Sequence, residues 1–168
     1  MKFMTIFASK LTELGKTNVL KHQIPTNGTA VFVHPFKNPF AFRPFLEKQL
    51  REMERHGIIE RSTSPYRALL LMVKKKSGEL RLCNDFKNLK AVTIKDRYPP
   101  PLIEDILHLL YEAKLFTTLD LFTGYWQIKI VDEDKFKTAF SCEFGHFQYA
   151  CMAFGLCNAS SAFQRTME

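Results

Sequence analysis

The sequence lacks the features that mark secreted and membrane-spanning proteins. Its four cysteines show no Cys-x-x-Cys spacing and no secretory leader precedes them, so we expect reduced thiols inside a cell. The apolar part of residues 1–8 is too short for the core of a signal peptide, and an apolar run such as residues 68–73 is far too short to span a bilayer. No internal repeat or low-complexity linker is present. We therefore expect an intracellular, cytoplasmic chain that is not secreted and has no membrane partner.

The composition indicates a globular, basic chain. With 168 residues and 46% hydrophobic content, the chain can bury one core, or one full domain and part of a second. A formal net charge of +7 and an isoelectric point near 9.3 favour a polyanionic partner, of which nucleic acid is the commonest.

The pattern of apolar residues and turn signals predicts a mixed α+β chain. Residues 1–24 are interpreted as a weakly helical start, and residues 29–45, rich in proline and phenylalanine, as an extended arm. Helices are predicted at residues 45–56, 102–114 and 159–167, the last with Asn158 as its N-cap. Two hairpins are predicted, one from residues 68–73 and 80–86 with Ser77 and Gly78 at its turn, the other from residues 138–142 and 145–150.

The first hairpin carries a cluster of cations. Lys74, Lys75 and Lys76 precede the turn and Arg81 follows it, so four positive charges project together. A solvated lysine run is the ordinary interpretation of such a pattern. Arg81 on the returning strand favours an anion-binding hairpin instead.

Asp120 is the acidic residue that most needs an explanation. Residues 115–121 look like a buried strand, where a carboxylate is costly unless a cation, a metal or several donors face it. The alternative is that Asp120 caps the turn that Thr123 and Gly124 begin. The sequence pattern alone leaves both open.

Two other groups of polar residues suggest sites but have simpler interpretations. Cys142, His146, Cys151 and Cys157 are four possible zinc ligands, yet their order is not that of a standard knuckle, and such cysteines are more often buried apolar fillers. The acidic residues 132–134 are interpreted as a solvated loop between two strands.

Several short motifs occur together in one order. They are residues 57–60 (GIIE), 64–66 (SPY), 73–76 (VKKK), 81–86 (RLCNDF), 93–99 (TIKDRYP), 119–121 (LDL), 124–128 (GYWQI), 137–140 (KTAF), 154–156 (FGL) and 162–164 (AFQ). Through this order, from about residue 22 to residue 168, the chain resembles the reverse transcriptase domain of gypsy-type LTR retrotransposon Pol polyproteins. Each block alone would be weak evidence, whereas their shared order is specific.

The resemblance implies a right-hand polymerase fold with fingers and an incomplete palm. It divides the chain into an N-terminal extension (residues 1–24), a fingers-like region with the start of the palm (25–119) and a partial palm with a closing helix (120–168). It implies RNA-directed DNA polymerisation, a nucleotidyl transfer assisted by two Mg²⁺ ions. The implied partners are an RNA or DNA template with its primer, and deoxynucleoside triphosphates. In the parent element the implied location is a cytoplasmic virus-like particle.

The resemblance also assigns roles to residues. Asp120 matches the first catalytic aspartate and metal ligand, and the backbone carbonyl of Leu121 is expected to add a ligand. The positions expected to hold the nucleotide are Lys75 or Lys76, Arg81, Tyr125, Phe154 and Gly155. Among them, the ring of Tyr125 is expected to exclude a sugar with a 2′-hydroxyl. Gln164 and Asp85 match positions expected to support the template and primer.

The chain departs from the family pattern at several positions. The family's second acidic box, Tyr-x-Asp-Asp, lies downstream of the closing helix, and the chain contains no Asp-Asp pair. Since a two-metal site needs further carboxylates, we expect a fragment that is inactive without the missing palm, thumb and RNase H regions. The alternative is a non-catalytic, basic nucleic-acid-binding module. Ala153 and Ser160 stand where the family has proline, and Asn84 where it usually has valine.

Overall fold

Helices and strands are mixed along the part of the chain that the computed structural model describes, which is residues 7–34, 39–74, 76 and 78–168. In chain order they are β1 (Thr17–His22), α1 (Arg43–Arg55), β2 (Ile59–Arg61), β3 (Leu69–Lys74), β4 (Leu80–Asp85), α2 (Lys87–Val92), α3 (Ile103–Leu110), β5 (Ile128–Ile130), β6 (Phe140–Cys142), β7 (Gly145–Tyr149) and α4 (Ala159–Met167). This arrangement confirms the predicted α+β class.

Helix α1 forms where the sequence predicts it. Pro44 lies in its first turn, where the missing N–H costs nothing, and Leu46, Leu50 and Met53 recur at helical spacing and are buried. Gly57 follows the helix with φ of +61°, a conformation that glycine adopts without strain, and directs the chain into β2.

The core is built around a three-stranded antiparallel sheet in the order β2–β7–β6. Ile59 lies opposite Tyr149, and Phe140 lies opposite Phe147, so large apolar side chains fill one region. The rings of Phe140 and Phe147 are 5.8 Å apart and both side chains are buried. This confirms the predicted hairpin of β6 and β7, to which α1 adds its apolar face.

The antiparallel pairing predicted for the two strands of the cationic hairpin is also confirmed. Strands β3 and β4 pair antiparallel, with Val73 opposite Arg81 and Lys74 opposite Leu80. Lys75 and Ser77, which the sequence predicts near the turn, lie outside the described residues, and Gly78 has φ of +88°. The hairpin is joined to the central sheet beside β3, where the N–H of Ala68 donates to the carbonyl of Ala139 at 2.7 Å.

The prediction of a weakly helical start over residues 1–24 is wrong at residues 17–22, which form strand β1. This strand pairs in parallel with β5, with His22 opposite Ile130, and the N–H of Val131 donates to the carbonyl of His22 at 3.0 Å. The partner strand is more than 100 residues away along the chain, and a local sequence pattern does not indicate such a distant pairing.

Burial of His22 in β1 predicts a pH-dependent stability. Its side chain is 2% exposed, and desolvation lowers its pKa from 6.5 to about 4, although Asp134 opposes that shift. Between these two pH values the unfolded chain binds more protons than the folded chain. The contribution of neutral His22 to the free energy of unfolding is therefore fully present above pH 6.5, and about 3 kcal/mol is lost as the pH falls to 4. Urea unfolding between pH 4 and pH 7.5 measures this change.

Two variants separate His22 from the other titrating groups. His22→Asn should remove most of that pH dependence, whereas His108→Gln, on the exposed helix α3, should leave it unchanged. An unaltered pH dependence in His22→Asn would show that burial of this imidazole is not its cause.

The apolar strand predicted at residues 115–121 is not formed. Helix α3 forms within the predicted residues 102–114 but ends at Leu110, its apolar side chains are exposed, and Leu115 further along is 93% exposed. The β-type composition of residues 115–121 requires a neighbouring strand, and none of the described strands pairs with it. Within the described ranges, no helix is long and apolar enough to cross a bilayer.

The acidic residues 132–134 are not a simple solvated loop. They begin a 3-10 helix (Asp132–Thr138), in which Asp134 is 13% exposed and bonds Lys137 Nζ at 2.6 Å. The second carboxylate oxygen of Asp134 accepts from the backbone N–H of Ile24 at 2.6 Å. The hydrogen bond from Ile24 fixes the segment after β1. Together with the Lys137 ion pair, it compensates the buried charge of Asp134. Lys135 and Asp132 form a more exposed pair, which lowers the pKa of Asp132 and raises that of Lys135.

Candidate functional site

Three of the predicted nucleotide-site residues form one stack. The Tyr125 ring stacks on the Phe154 ring at a centroid distance of 4.9 Å and an interplanar angle of 29°. The guanidinium of Arg81 lies 5.3 Å from the centre of the Phe154 ring. A cation over an aromatic face is attracted by the ring's quadrupole, so Phe154 links the β4 cation to the tyrosine.

Local backbone geometry places the tyrosine in this stack. Tyr125 lies in a 3-10 turn (Gly124–Gln127) that follows Thr123, whose φ is +45°. A Cβ on Gly124 would lie 3.0 Å from the Phe163 ring of α4, so a larger residue there would require that ring to shift. Tyr125 also packs on Phe163 at 5.3 Å, and its hydroxyl is 3.4 Å from Ser160 Oγ.

Gly155 lies in the loop before α4, in a backbone conformation that favours glycine. Its φ is +88°, and a Cβ there would lie 3.7 Å from the carbonyl oxygen of Asn84 on β4. The loop residues Met152 and Ala153 are buried, whereas Phe154 is 44% exposed. The loop thus anchors itself in the core and presents the Phe154 ring outward beside Arg81.

A cleft of about 570 Å³ adjoins this stack. It lies between α1, β4 and the turn around Trp126, a volume typical of small-molecule sites. Its lining residues are Gln49, Met53, Leu80, Arg81, Leu82, Cys83, Asn84, Thr123, Trp126, Tyr149, Phe154 and Gly155.

Asp120 lies on the exposed segment rather than in a buried strand. It makes no hydrogen bond or ion pair with the described residues, so neither a buried charge nor a turn cap explains it. Leu121 follows it and is 45% exposed. None of the strands in the described ranges pairs with this segment, which accounts for its exposure.

The described residues do not complete a metal site around Asp120. In residues 7–34, 39–74, 76 and 78–168, no three His, Cys, Asp or Glu side chains are placed to hold one ion together. Asp120 and the Leu121 carbonyl offer hard oxygen ligands of the kind Mg²⁺ prefers, but a two-metal site needs more carboxylates. These residues alone therefore do not fit the pair of ions that the resemblance implies.

The remaining predicted positions are outside this stack. Lys75 lies outside the described residues, and Lys76 is exposed at the hairpin turn. Asp85 ends β4, and its carboxylate accepts from the N–H of Lys87 at 2.8 Å, which starts α2. Gln164 lies on α4 and donates to Glu168 at 3.1 Å.

The zinc hypothesis is not supported by the described residues. Both ring nitrogens of His146 are already engaged, one with Ser141 Oγ at 2.7 Å and the other with the carbonyl of Ser64 at 3.0 Å. Cys151 is buried and its Sγ lies 3.1 Å from Lys16 Nζ. Burial raises the pKa of Cys142, so that thiol favours the protonated form, which is a poor metal ligand.

Sequence reasoning missed the polar residues behind the stack. The Tyr149 hydroxyl donates to Asn84 Oδ1 at 2.8 Å, which ties β7 to β4, and burial raises the pKa of this tyrosine. The side chain of Asn158 also differs from its predicted role. It begins α4 but makes no capping bond and instead holds residues 94–96, accepting from the N–H of Asp96 and donating to the carbonyl of Ile94.

Comparison with known proteins shows the family of this chain. The family model described as "Reverse transcriptase (RNA-dependent DNA polymerase)" matches residues 73–168, more than half of the chain. The retrovirus-related Pol polyprotein from transposon 297 of Drosophila melanogaster is 36% identical over 172 residues, covering 99% of this chain and 16% of the relative. The Pol polyprotein from transposon gypsy of the same organism is 42% identical over 130 residues, 74% of this chain and 13% of the relative. The chain thus spans under a fifth of these polyproteins.

Solved structures show the same fold. A foamy viral protease–reverse transcriptase, solved in complex with an RNA/DNA hybrid, superimposes with a TM-score of 0.77 at 18% identity, covering 92% of this chain and 21% of that one. The mixed helices and sheets are therefore those of the fingers and part of the palm of a right-hand polymerase. The chain belongs to the reverse transcriptase family, as a portion of the kind found in retrotransposon Pol polyproteins.

Proposed function

We propose that this chain supplies the fingers and the first part of the palm to an RNA-directed DNA polymerase within a longer retrotransposon polyprotein. The observation that carries the proposal is the stack of Arg81, Phe154 and Tyr125, which joins a hairpin cation to two aromatic rings. The substrates are an RNA or DNA template with its primer, and deoxynucleoside triphosphates.

The stack gives each nucleotide-site residue a distinct task. Arg81 offers a planar guanidinium that can bind a phosphate in bidentate fashion, and Lys75 or Lys76 at the same hairpin adds a point charge. Tyr125 is held between Phe154 and Phe163, so its ring is fixed and can reject a sugar that carries a 2′-hydroxyl. Gly155 adopts φ of +88°, which glycine accepts without strain, in the loop that carries Phe154 beside Arg81.

Asp120 serves as one metal ligand in this proposal. Reverse transcriptases use divalent metal ions, and we propose Mg²⁺, which activates the primer hydroxyl and stabilises the leaving pyrophosphate when bound. The carboxylate of Asp120 and the carbonyl of Leu121 contribute oxygen ligands, and the other carboxylates come from a palm segment not among these 168 residues. The isolated chain is therefore inactive.

The division of the chain follows the same proposal. Residues 1–24 form an N-terminal extension, residues 25–119 the fingers with the start of the palm, and residues 120–168 a partial palm with the closing helix. Asp85 and Gln164 support the template and primer, and the thumb and RNase H regions belong to the rest of the polyprotein. A cytoplasmic virus-like particle is the location that we propose for the parent protein.

The proposal predicts salt-dependent binding of the isolated chain to an RNA/DNA primer–template. Each phosphate contact contributes a slope of about −0.9 to the plot of log K against log salt concentration. Replacing the exposed Lys74 and Lys76 by Gln should therefore weaken binding roughly tenfold and reduce the slope by about 2, as measured by fluorescence anisotropy between 50 and 200 mM salt.

A matched pair of lysines controls for net charge. Lys48 and Lys90 are exposed on α1 and α2, away from the hairpin, and their replacement by Gln removes the same charge. Equal losses in the two double variants, or binding indifferent to salt, would count against the hairpin as a nucleic-acid contact. A non-catalytic binding module would pass this test too, but membership of the reverse transcriptase family disfavours that alternative.

A further inference from the structure

A second cleft lies on the two-stranded sheet of β1 and β5, and lysines surround it. It has a volume of about 270 Å³, and its lining residues are Lys16, Lys21, Lys129, Ile130, Asp132, Lys135 and Ala150. Four of these seven residues are lysines and one is an aspartate. We name it the lysine cleft. It shares no lining residue with the cleft beside the Phe154 stack, so it is a separate feature of the molecule.

The parallel pairing of β1 with β5 brings these lysines together. Lys21 and Lys129 each precede one member of the pair His22–Ile130. Because His22 and Ile130 are buried and side chains alternate along a strand, both lysines lie on the solvent side of the sheet. Lys135 joins them from the 3-10 helix that follows β5. The cluster is therefore assembled by the fold and not by a run of lysines in the sequence.

Asp132 shows that the lysines act on one point. Its carboxylate lies 2.7 Å from Lys135 Nζ and 3.8 Å from Lys21 Nζ. The hydrogen bond from Lys135 is the main cause that lowers the pKa of Asp132, and the charges of Lys135, Lys21 and Lys129 lower it further. Three ammonium groups thus converge on a single carboxylate, which is the arrangement that an anion-binding site needs.

The lysine cleft keeps an excess of positive charge. Glu60 lies 3.7 Å from Lys135 Nζ but does not line the cleft. Among the described residues, no carboxylate forms an ion pair with Lys16 or Lys129. Like charges held close together repel each other, and an anion that enters the cleft relieves that repulsion.

The lining residues also define the chemistry of the anion. Each ammonium group is a point charge with three donors, whereas the described lining contains no arginine fork and no aromatic ring on which a nucleobase could stack. The volume of about 270 Å³ is at the lower limit for small-molecule sites. A compact anion with several charged oxygens therefore fits the cleft better than a nucleotide with its base.

We propose that the lysine cleft binds a compact polyphosphate anion. Its oxygens accept from Lys21, Lys129 and Lys135 beside the Asp132 carboxylate, and Lys16 adds a fourth positive charge. This site takes no part in nucleotide transfer. Its test requires no template, nucleotide or metal, so its failure and the failure of the proposed polymerase function are distinguishable.

Titration with tripolyphosphate at low salt, in buffer free of divalent metal ions, tests the proposal. In a ¹H–¹⁵N spectrum, the amide signals of residues 16–21 and 129–135 should shift along one saturable curve, with a dissociation constant of about 10–100 µM. Inorganic phosphate at the same ionic strength should bind roughly tenfold more weakly or worse, because it brings fewer charges. The amide signals of β3 and β4 report separately on any binding at the cationic hairpin.

A pair of lysine variants tests the cations of the cleft. Lys21→Gln together with Lys129→Gln should weaken tripolyphosphate binding there by roughly tenfold or more, and both side chains are exposed, so the fold should persist. The matched control is Lys48→Gln together with Lys90→Gln, which removes the same charge from α1 and α2. It should weaken binding by less than about twofold.

Asp132→Asn should have the opposite effect. It removes the carboxylate that competes for the same lysines, so tripolyphosphate should bind about threefold or more tightly. Asp105→Asn, the same change on the exposed helix α3, should leave the affinity unchanged. No saturable shift of the cleft amides, equal losses in the two lysine pairs, or an unchanged affinity in Asp132→Asn would overturn the proposal. Loss of primer–template binding without loss of tripolyphosphate binding in the Lys21 and Lys129 variant would also overturn it, by assigning these lysines to nucleic acid.

Discussion

Replacing Asp120 by Asn should abolish templated synthesis by a completed polymerase, with a loss of about a thousandfold or more. The completed enzyme is a chimera in which this chain replaces the matching segment of the transposon 297 Pol polyprotein, to which it is 36% identical. Asn keeps the shape of the side chain but loses the negative charge that a metal ligand provides. Loss of the ligand should remove several kcal/mol of transition-state stabilisation, and each 1.36 kcal/mol lowers the rate tenfold. Primer extension on an RNA template measures the rate.

The control for this variant is another exposed aspartate in the same region. Asp105 lies in the first turn of α3, and Asp105→Asn should retain activity within a few-fold. Extension by the Asp120→Asn chimera at the rate of the Asp105→Asn chimera would show that Asp120 is not a metal ligand. The unaltered 297 polyprotein provides the reference rate.

Phe140→Ala should lower the free energy of unfolding by about 3–5 kcal/mol. The Phe140 side chain is fully buried on β6, and its ring packs on those of Phe147 at 5.8 Å and Tyr149 at 5.5 Å. Its removal leaves a cavity in the central sheet, beside the point where Ala68 joins the hairpin to that sheet. Because small domains are stable by only about 5–15 kcal/mol, much of this chain should unfold at 37 °C. Urea unfolding followed by circular dichroism measures the change.

Phe116→Ala is the matched control for that loss. Phe116 is 66% exposed on the segment after α3, so its truncation should change the free energy of unfolding by less than about 0.5 kcal/mol. A loss of similar size in the two variants would contradict the placement of the core. A loss below 1 kcal/mol for Phe140→Ala would do the same.

The parts of the fold that could be predicted have local causes. Helix α1 has apolar residues at helical spacing between Pro44 and Gly57, and each hairpin has a turn residue between two apolar runs. Helix α4 has the predicted bounds, Ala159–Met167. In all of these, the contacts that select the structure lie within a few residues of each other.

The parts that could not be predicted depend on distant partners. Strand β1 is defined by its parallel pairing with β5, and Asp134 is buried because Ile24 and Lys137 satisfy it. Residues 115–121 have the composition of a strand, yet no described strand lies beside them. A periodic pattern states which face of a segment is apolar but not what covers it.

In the candidate site too, some residues could be predicted from the sequence, whereas the contacts between them could not. The resemblance pointed to Arg81, Tyr125 and Phe154 as nucleotide-site residues, and the structure added the stacking distances that connect them. The bond between Tyr149 and Asn84 joins residues 65 positions apart and has no sequence signal of its own. The roles of Asp85, Gln164 and the hairpin lysines stay predictions.

Primer extension by the 168-residue chain alone tests most directly whether the chain holds only part of a catalytic centre. The reaction contains an RNA template, a DNA primer, the four deoxynucleoside triphosphates and Mg²⁺, with the chimera as the positive reference. Because Asp120 lacks the further carboxylates that a two-metal site needs, the chain should bind the primer–template but extend no primer. Extension by the isolated chain that disappears in its Asp120→Asn variant would contradict this account.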